Sequence, residues 1–476
     1  MNNKSGAVQV PVTYGKHESQ PLLDNKYQQP NVGCTRGVLC KRCLAGTHEN
    51  TTVRTFLRRL IIIFSLLWFF FTIHHWVLGF AADINDDCLH HLIPWNGPSA
   101  ITSDNADSID VSFGEGDIYS TVEILTRDDV VQPTVYIDAW VTRNYDKIND
   151  KVVGGGRHPR PVRGLEVEVT EVDGWVKVFL ESEDNKGRRD RRYKKKFCAK
   201  VDIKIVFPTR LQTYNRLVVG HALQDVDVRG SVSQIAFESL HLSSTIGNIV
   251  LHDLETKNGG NGGGVQAKTL HLVTITGSIH VAATSPVSGH PLSLTFESTV
   301  GSIKFNATTN PIQPVENKTP EELRHSLLLK TTTGHIQAAV RPGAGYADTG
   351  VMKKDGTIPG DIFVSGESFV GHIETDFVMA PGQVLHQELT SNMGSVESIV
   401  TDNYLGSIDV RTELGSASVT EASNSTSSIK YEKYTKTVKV GRKTLTQGGR
   451  SGSGEERGVM VFSSTNGSSR LTFVPV

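Results

Sequence analysis

The chain has few cysteines and almost no net charge. Its 476 residues include five Cys, and 49 Lys and Arg stand against 50 Asp and Glu, for a formal charge of −1. So few cysteines exclude a disulfide-stapled miniprotein, and the 45 Gly are far too few for collagen. The even charge balance excludes a strongly basic nucleic-acid binder and argues against disorder over most of the length. We therefore expect a folded protein with no nucleic-acid partner.

Sequence motifs for catalysis and cofactor binding are also missing. The chain has no H-E-x-x-H, G-x-S-x-G, P-loop, Rossmann fingerprint, EF-hand loop or pair of C-x2-C motifs. His241, His271, His280, His335 and His372 fall on or beside the repeat strands. Outward ones could form a column with a metal-binding or pH-sensitive face, but scattered surface residues are the favoured interpretation. The sequence therefore predicts no catalytic residues, no cofactor and no metal site, and a protein that is not an enzyme.

One long hydrophobic run is present. It extends from Leu60 to Phe80 and contains no Asp, Glu, Lys or Arg. A helix of this length spans about 31 Å, enough to cross a hydrocarbon core of about 30 Å. Residues 1–59 carry nine Lys and Arg against three Asp and Glu, a net charge of +6, which predicts a cytoplasmic N-terminus. A cleaved signal peptide is the alternative, but the leader before the run is too long for one. We expect a single-pass signal anchor over 57–82, with the lipid bilayer as a partner.

The N-terminal tail, 1–56, is polar and lacks apolar periodicity, so the sequence predicts a disordered cytoplasmic segment. Cys34, Cys40 and Cys43 precede the hydrophobic run and are candidates for S-palmitoylation. A zinc site with His48 as a fourth ligand matches no familiar spacing, and unmodified reduced thiols remain an alternative.

The part after the membrane span is expected to be extracellular or lumenal, on the plasma membrane or on an endomembrane or vacuole. Cys88 and Cys198 are the two cysteines there and form a candidate disulfide. Four sequons provide candidate glycosylation sites: Asn306, Asn317, Asn424 and Asn466. Residues 83–116 contain Pro, Gly, Asp and Ser and read as a stalk.

A β-rich lead-in with a basic loop is predicted over 117–227. Alternating apolar runs indicate strands at Thr134–Val141, Leu165–Thr170, Trp175–Leu180 and Val201–Phe207. The basic loop contains seven cations that are candidate anion contacts: Arg188, Arg189, Arg191, Arg192, Lys194, Lys195 and Lys196. Clustered like charge belongs in a solvated loop. The loop's role stays open between an anionic glycan or headgroup contact, a dibasic processing site, and no partner.

A short motif recurs over the C-terminal part, 228–476. It consists of Ser or Thr, two residues, Gly, one residue and an aliphatic residue. The copies are at 244–251, 274–281, 298–305, 331–338, 368–375, 391–398, 403–410 and 412–419, with degenerate copies at Gly230 and Gly467. Period-2 alternation on either side of each Gly predicts two short strands joined at a glycine corner. Ser or Thr three residues before the Gly is expected to bond corner backbone groups.

One such unit cannot bury its own apolar face, but a stack of units can. The repeat therefore predicts an all-β fold, a β-solenoid-like stack of short Gly-cornered strands, with an ordinary β-sandwich as the alternative. Thr319 to Glu322 predicts a capped helical turn between strands. Residues 425–458 are interpreted as a mobile loop or a strand pair, and the chain is expected to close with strands at Val459–Phe462 and Leu471–Val476.

These repeated S/T-x-x-G-x-I/V-x-V units resemble an adhesin-like domain family of unknown function, found in bacterial and fungal membrane proteins. The resemblance covers about 228–420, and the tail and single span preceding it are similar to fungal members. It implies a β-solenoid-like fold and adhesion, and it provides no catalytic residues.

Two functions from different classes follow. The first is a membrane-anchored extracytoplasmic binding or structural module with adhesin-like character, whose ligand would be a cell-surface glycan or protein. The alternative is a glycan-active β-solenoid enzyme, a lyase or hydrolase, which would need paired carboxylates in a groove. The sequence leaves the ligand and the oligomeric state open.

Overall fold

The computed structural model describes residues 92–475 with internal gaps. The gaps are 103–105, 115–117, 143–164, 173, 183–198, 224, 254–263, 286, 288, 314–318, 344–345, 347–359, 424, 426 and 446–457. All described residues belong to one compact unit, Ala81–Val476. Several predicted features lie outside the described residues: the tail, Cys34, Cys40, Cys43, the span Leu60–Phe80, Cys88, the basic loop Arg188–Lys196, Cys198, Asn317 and Asn424.

No helix among the described residues is both long enough and apolar enough to cross a membrane.

The protein is built from two long sheets, each mostly parallel. Sheet A contains, in spatial order, β6 (Leu165–Val172), β7 (Trp175–Ser182), β3 (Ser108–Phe113), β9 (Thr213–Ala222), β11 (Ala236–Ile246), β13 (Val265–Thr276), β15 (Ser293–Val300), β17 (Arg324–Thr333), β19 (Asp361–Val370), β21 (Leu385–Met393), β27 (Val459–Asn466), β23 (Gly406–Leu414), β26 (Val438–Leu445) and β25 (Ser427–Tyr434).

Sheet B lies against sheet A and follows the same course. It begins with β1 (Leu92–Pro94) and β2 (Ala100–Thr102), both paired to β5 (Thr134–Thr142), and continues with β8 (Ala199–Pro208), β4 (Ile118–Arg127), β10 (Val226–Val228), β12 (Ile249–Leu251), β14 (Ile279–Ser285), β16 (Ile303–Thr309), β18 (Ile336–Pro342), β20 (Ile373–Phe377), β22 (Val396–Thr401), β28 (Ser469–Val474) and β24 (Ala417–Thr420). Antiparallel pairs occur only near the ends of the two sheets in the described part of the chain.

The unit of the stack is a rung, which consists of one strand in sheet A, a corner and one strand in sheet B. Successive rungs pair in register, so that Ile279 lies beside Ile303, and Ile303 beside Ile336. These three side chains are buried, as period-2 alternation requires of the inward positions. Each sheet therefore presents an aliphatic face to the other, and the shared interior is the core. The all-β stack is confirmed, and the parallel pairing distinguishes it from an antiparallel sandwich.

The strands predicted over Thr134–Val141, Leu165–Thr170, Trp175–Leu180 and Val201–Phe207 are confirmed as β5, β6, β7 and β8. The helical turn is also confirmed as a 3-10 helix at Pro320–Leu323. The Thr319 backbone N–H donates to the Glu322 carboxylate at 2.8 Å, one half of a capping box.

The stack extends towards the N-terminus beyond the glycine repeats. β3 and β9 continue sheet A, and β4 and β10 continue sheet B, so that both sheets run across residue 228 without interruption. Strands β1, β2 and β3 lie within 83–116, where the sequence suggests a stalk, and they pair with strands of the two sheets.

The last rung of the chain lies between two earlier rungs. β27 pairs with β21 on one side and β23 on the other, and β28 lies between β22 and β24. The rung β23–β24 is therefore followed in the sequence by the hairpin β25–β26 and then by the rung β27–β28. This last rung occupies the position between β21–β22 and β23–β24. The spatial order of the rungs consequently differs from their order in the sequence.

Two expected copies of the corner motif are corrected by the structure. Gly406 begins strand β23 instead of forming a corner, and the buried Tyr404 precedes it where true corners have an exposed residue. Gly230 lies in a 3-10 helix, Gly230–Gln234, because the rung β9–β10 turns earlier in the chain. The copy at Gly467 is a true corner and joins β27 to β28.

The hairpin β25–β26 covers the end of sheet A and carries a buried lysine. The side chain of Lys443 is fully buried, and its Nζ lies 2.8 Å from the Asp402 carboxylate. Nζ also donates to the backbone oxygen of Asp402 at 2.6 Å and to the Ser427 hydroxyl. Pairing and hydrogen bonding allow the charge to be buried there. The strand-pair interpretation of 425–458 is thus confirmed for its described part.

Candidate functional site: the corner edge

Each repeat rung turns from sheet A to sheet B at a glycine, and these glycines stack into one column. In spatial order the column consists of Gly247, Gly277, Gly301, Gly334, Gly371, Gly394, Gly467 and Gly415. At Gly371, φ is +154°, and a Cβ atom there would lie 1.7 Å from the carbonyl oxygen of Gly334. A side chain would clash with the backbone of the neighbouring rung, so this corner needs glycine for both its conformation and its close approach.

Buried hydroxyl groups join each corner to the next. Ser or Thr three residues before a corner glycine donates a hydrogen bond to the carbonyl oxygen of the glycine in the adjacent rung. The donors are Thr274, Ser298, Thr331, Ser368, Ser391, Ser464 and Thr412. Their distances range from 2.6 Å for Thr412 to 3.3 Å for Ser368. The predicted role of the Ser and Thr residues is confirmed, and it explains why they recur at a buried position.

A second polar series follows the glycines. The residue after each corner glycine is Asn248, Ser278, Ser302, His335, His372, Ser395, Ser468 or Ser416. Within this series, the backbone N–H of Ser278 donates to Asn248 Oδ1 at 2.9 Å, and that of His372 donates to His335 Nδ1 at 3.0 Å. These side chains are at least partly accessible, so the series presents hydroxyl and imidazole groups along the edge.

The two residues before each corner glycine form a surface that we name the corner ridge. Large apolar side chains on this ridge are exposed by 39–51%: Ile246, Ile275, Val300, Phe369, Met393 and Leu414. Pairing in register places them along one edge, with Thr, Val or Asn residues on the rungs between them. For example, Val370 lies beside Met393, and Asn466 lies between Met393 and Leu414. The other ridge positions are mostly Thr, and Glu413 is the only formally charged residue among them.

The ridge can therefore make apolar contacts and hydrogen bonds along one line. Neighbouring parallel strands are about 4.8 Å apart, so each rung repeats similar groups at this spacing. Exposed apolar side chains that cluster in this way mark interaction sites more often than scattered ones do. The near absence of charge favours a ligand recognised by shape and by neutral polar groups.

Two predicted glycosylation sites can be located. Asn306 is exposed on β16, and its side-chain nitrogen donates to the carbonyl oxygen of Ala282 at 2.9 Å. Asn466 is exposed on the corner ridge itself. Both side chains lie on the surface, as a sequon requires, and their modification stays a prediction.

His241, His271 and His280, and the carboxylates Glu374, Glu397 and Asp409, lie on the outer faces of the sheets, whereas His325 on β17 is buried. The rings of His241 and His271 are 4.4 Å apart on adjacent rungs. Glu374 and Glu397 are in-register neighbours, and Asp409 pairs with Arg411 at 2.6 Å. Across the part of the chain that the structure describes, no group of three His, Cys, Asp or Glu residues could hold a metal ion.

The corner ridge was not predicted from the sequence, although the ridge residues are part of the repeated motif. The motif specifies the buried Ser or Thr, the Gly and the inward aliphatic residues. The two positions between Ser or Thr and Gly vary in the motif, and they are the ones exposed on the ridge. The inward alternation stops at these two positions before each glycine, and that break is the sequence signal that could have indicated the ridge.

No protein-family model matches the chain, and no curated protein matches it.

Solved structures give fold-level similarities only. A candidate cell adhesion protein from Clostridium sporogenes is 6% identical over 80% of this chain and all of its own, with a TM-score of 0.16. A candidate adhesin from Parabacteroides merdae is 12% identical over 66% of this chain and 90% of its own, with a TM-score of 0.28. A candidate adhesin from Bacteroides fragilis is 9% identical over 81% of this chain and 97% of its own, with a TM-score of 0.18. These values identify neither a family nor a function for this chain.

Proposed function

We propose that this protein is a membrane-anchored, extracytoplasmic binding module with adhesin-like character, which contacts a cell-surface glycan or protein through its corner ridge. A single helix at Leu60–Phe80 would anchor it, with the N-terminus in the cytoplasm and the β-solenoid outside. The uncharged, hydrophobic sequence of that run and the positive charge before it support this arrangement.

The observation that carries the proposal is the alignment of exposed apolar residues on the ridge. A solvated edge without a partner would have no need of Phe369, Met393 and Leu414, because Thr and Asn occupy equivalent positions on other rungs. A linear array of weak contacts also suits adhesion, since many repeated contacts raise the total affinity without any strong single site.

The glycan-active enzyme is the second candidate function, and the carboxylates whose pKa is raised by burial give it little support. Burial raises the pKa of Asp110 and of Asp361. Asp110 is on β3 and Asp361 on β19, six strands away through β9, β11, β13, β15 and β17. Six spacings of about 4.8 Å separate them by about 29 Å, whereas hydrolysis needs carboxylates about 5–10 Å apart. We therefore propose binding without catalysis.

The ridge can be altered with residue types that its own columns already contain. The triple variant Ile275→Thr, Phe369→Thr and Met393→Asn should keep the fold, because these side chains point outwards. Microspheres coated with the full chain would be counted on the surface of intact cells. We expect the triple variant to reduce adherence about tenfold or more, in line with the loss of several exposed apolar contacts.

The matched control is Leu328→Thr. Leu328 is 40% exposed but lies on the outer face of sheet A, away from the ridge. Its replacement should leave adherence unchanged. Equal adherence of the parent and the triple variant would rule out the ridge as the binding surface. Protease treatment of intact cells should also remove a C-terminal tag and spare an N-terminal one; the reverse pattern would overturn the proposed topology.

A further inference from the structure

A cleft lies at the opposite end of the sheet A strands from the corner ridge. It is formed where β9, β11 and β13 begin, and its volume of about 630 Å³ is in the usual range for ligand sites, about 300–1,000 Å³. We name it the Tyr214 cleft. Its lining includes Asp107, Pro133, Leu211, Tyr214, Phe237 and Lys268.

The Tyr214 hydroxyl has no hydrogen-bond partner among the described residues. The side chain is 5% exposed, and its ring packs edge-to-face against Phe207 at 4.9 Å and Phe237 at 6.2 Å. A buried hydroxyl left without a partner is destabilising. Burial and the nearby Asp107 carboxylate raise the pKa of Tyr214, so the group stays protonated and can only be used as a neutral donor or acceptor.

The remaining polar groups give the cleft a slightly negative character. The Lys268 ammonium pairs with the Glu238 carboxylate. Asp107 accepts a hydrogen bond from the Ser108 hydroxyl at 2.9 Å and has no described cationic partner. The carboxylates of Asp107 and Glu238 against the ammonium of Lys268 leave a charge of −1 in the lining. Phosphates, sulfates and uronic acids would be repelled there.

The apolar part of the lining complements these groups. Pro133, Leu211 and Phe237 offer a surface for the C–H face of a ring, and Tyr214 and Asp107 in the same lining provide a hydroxyl and a carboxylate. A sugar ring has both an apolar C–H face and adjacent hydroxyl groups that donate and accept.

We propose that the Tyr214 cleft binds a terminal unit of a neutral or amino-sugar glycan, with the Tyr214 hydroxyl and the Asp107 carboxylate holding neighbouring sugar hydroxyls. The inference rests on the proposed function of the protein as a surface binding module. It adds the Tyr214 cleft as a second binding site, besides the corner ridge, and specifies its ligand class.

The test uses the full chain in detergent. Binding is measured to immobilised neutral oligosaccharides and to oligomers of glucosamine and N-acetylglucosamine, with heparin as the anionic probe. We expect Tyr214→Phe to weaken binding of the best neutral or amino-sugar probe about tenfold or more, as expected for the loss of a buried hydrogen bond. Asp107→Asn should weaken it as well. Tyr434→Phe is the matched control, because Tyr434 is 65% exposed on β25, far from the cleft.

Thermal unfolding without glycan provides a second readout. Removing an unpartnered hydroxyl should leave the unfolding temperature of Tyr214→Phe unchanged or higher. A lower temperature would show that the hydroxyl has a partner within the protein and would overturn the inference. No binding to any neutral or amino-sugar probe, or equal binding by the parent and Tyr214→Phe, would overturn it too. The triple ridge variant should bind these probes like the parent. The cell-adherence assay therefore tests the ridge independently, and a negative result for the cleft would not affect it.

Discussion

At Gly371 two constraints on a corner residue coincide. Its φ of +154° is strained for any residue with a side chain, and a Cβ atom would overlap the carbonyl oxygen of Gly334. We expect Gly371→Ala to lower the free energy of unfolding by about 3 kcal/mol or more, because both strain and displacement of backbone contribute. Chemical denaturation measures this.

The control for this substitution is Gly220→Ala. A Cβ atom at Gly220 would meet nothing closer than Ser112 Cβ at 3.7 Å, and no left-handed φ is required there. Its unfolding free energy should stay within about 1 kcal/mol of the parent. Similar losses in both variants would show that the closeness of the corners is not what requires glycine.

His325 connects stability to pH. The ring is fully buried; Nδ1 accepts from the backbone N–H of Leu292 at 3.1 Å, and Nε2 lies 3.2 Å from the carbonyl oxygen of Asn310. Burial lowers its pKa to about 4 from an ordinary 6.5. Between these values the unfolded chain binds a proton that the folded protein does not, so stability falls as pH falls from about 6.5 to 4.

The loss from His325 should total about 3 kcal/mol, since one pKa unit corresponds to about 1.4 kcal/mol. Unfolding free energies of the parent and of His325→Gln, measured from pH 7.5 to 4, should therefore converge as the pH decreases. His280→Gln is the control, because His280 is exposed on the outer face of sheet B. A parent that follows the same pH curve as His325→Gln would contradict the assignment.

At the scale of elements, the hairpin β25–β26 depends on one buried ion pair. Replacing Lys443 by Met leaves the Asp402 carboxylate, whose side chain is 12% exposed, without its cation. We expect a loss of about 3–5 kcal/mol in unfolding free energy, the usual cost of an unpaired buried charge.

Adding Asp402→Asn to Lys443→Met should recover part of that loss, because the uncompensated charge is then removed. A double-mutant cycle by chemical denaturation measures the coupling between the two side chains. Additive losses would show that the contact between Lys443 and Asp402 does not stabilise the hairpin.

The sequence predicts the repeat strands well, because each element repeats one local rule. Ser or Thr, Gly and an inward aliphatic residue recur from Thr274–Val281 to Ser391–Ser398, and each copy forms a corner. The rule fails at Gly406 because Asn403 takes the place of Ser or Thr and Tyr404 is buried. It also misses the rungs β3–β4 and β9–β10, because no Ser or Thr lies three residues before Gly114, Gly116 or Gly220.

The order of the rungs could not be predicted from the sequence. Every rung presents the same backbone edge and a similar aliphatic interior, so local patterns do not say which rung pairs with which. The closing rung β27–β28 pairs with the nearer strands β23 and β24 and also with β21 and β22, which precede it by about seventy residues. Long-range pairing of this kind depends on the whole fold. The charged interior contact of Lys443 and the Tyr214 cleft are hidden for the same reason.

At the scale of the molecule, the two ends of the sheet A strands differ in chemistry. The corner ridge is a long, almost uncharged line of Thr and aliphatic side chains, whereas the Tyr214 cleft is local and carries carboxylates. The ridge exists only because successive corners are in register, since a shift of one residue would bury its apolar groups and expose the core. Any function of the edge therefore depends on the order and register of the rungs.

Disulfide trapping tests the spatial order of the rungs most directly. In the full chain with its native cysteines replaced by Ser, Cys is introduced in pairs at the ridge positions Met393, Asn466 and Leu414. In-register neighbours are about 4.8 Å apart, within the range of about 4.4–6.8 Å that a disulfide spans, whereas positions two rungs apart are too distant. The structure predicts rapid cross-links for 393 with 466 and for 466 with 414, and none for 393 with 414. A cross-link between 393 and 414, without the other two, would place the rungs in sequence order and contradict the stack and the ridge built on it.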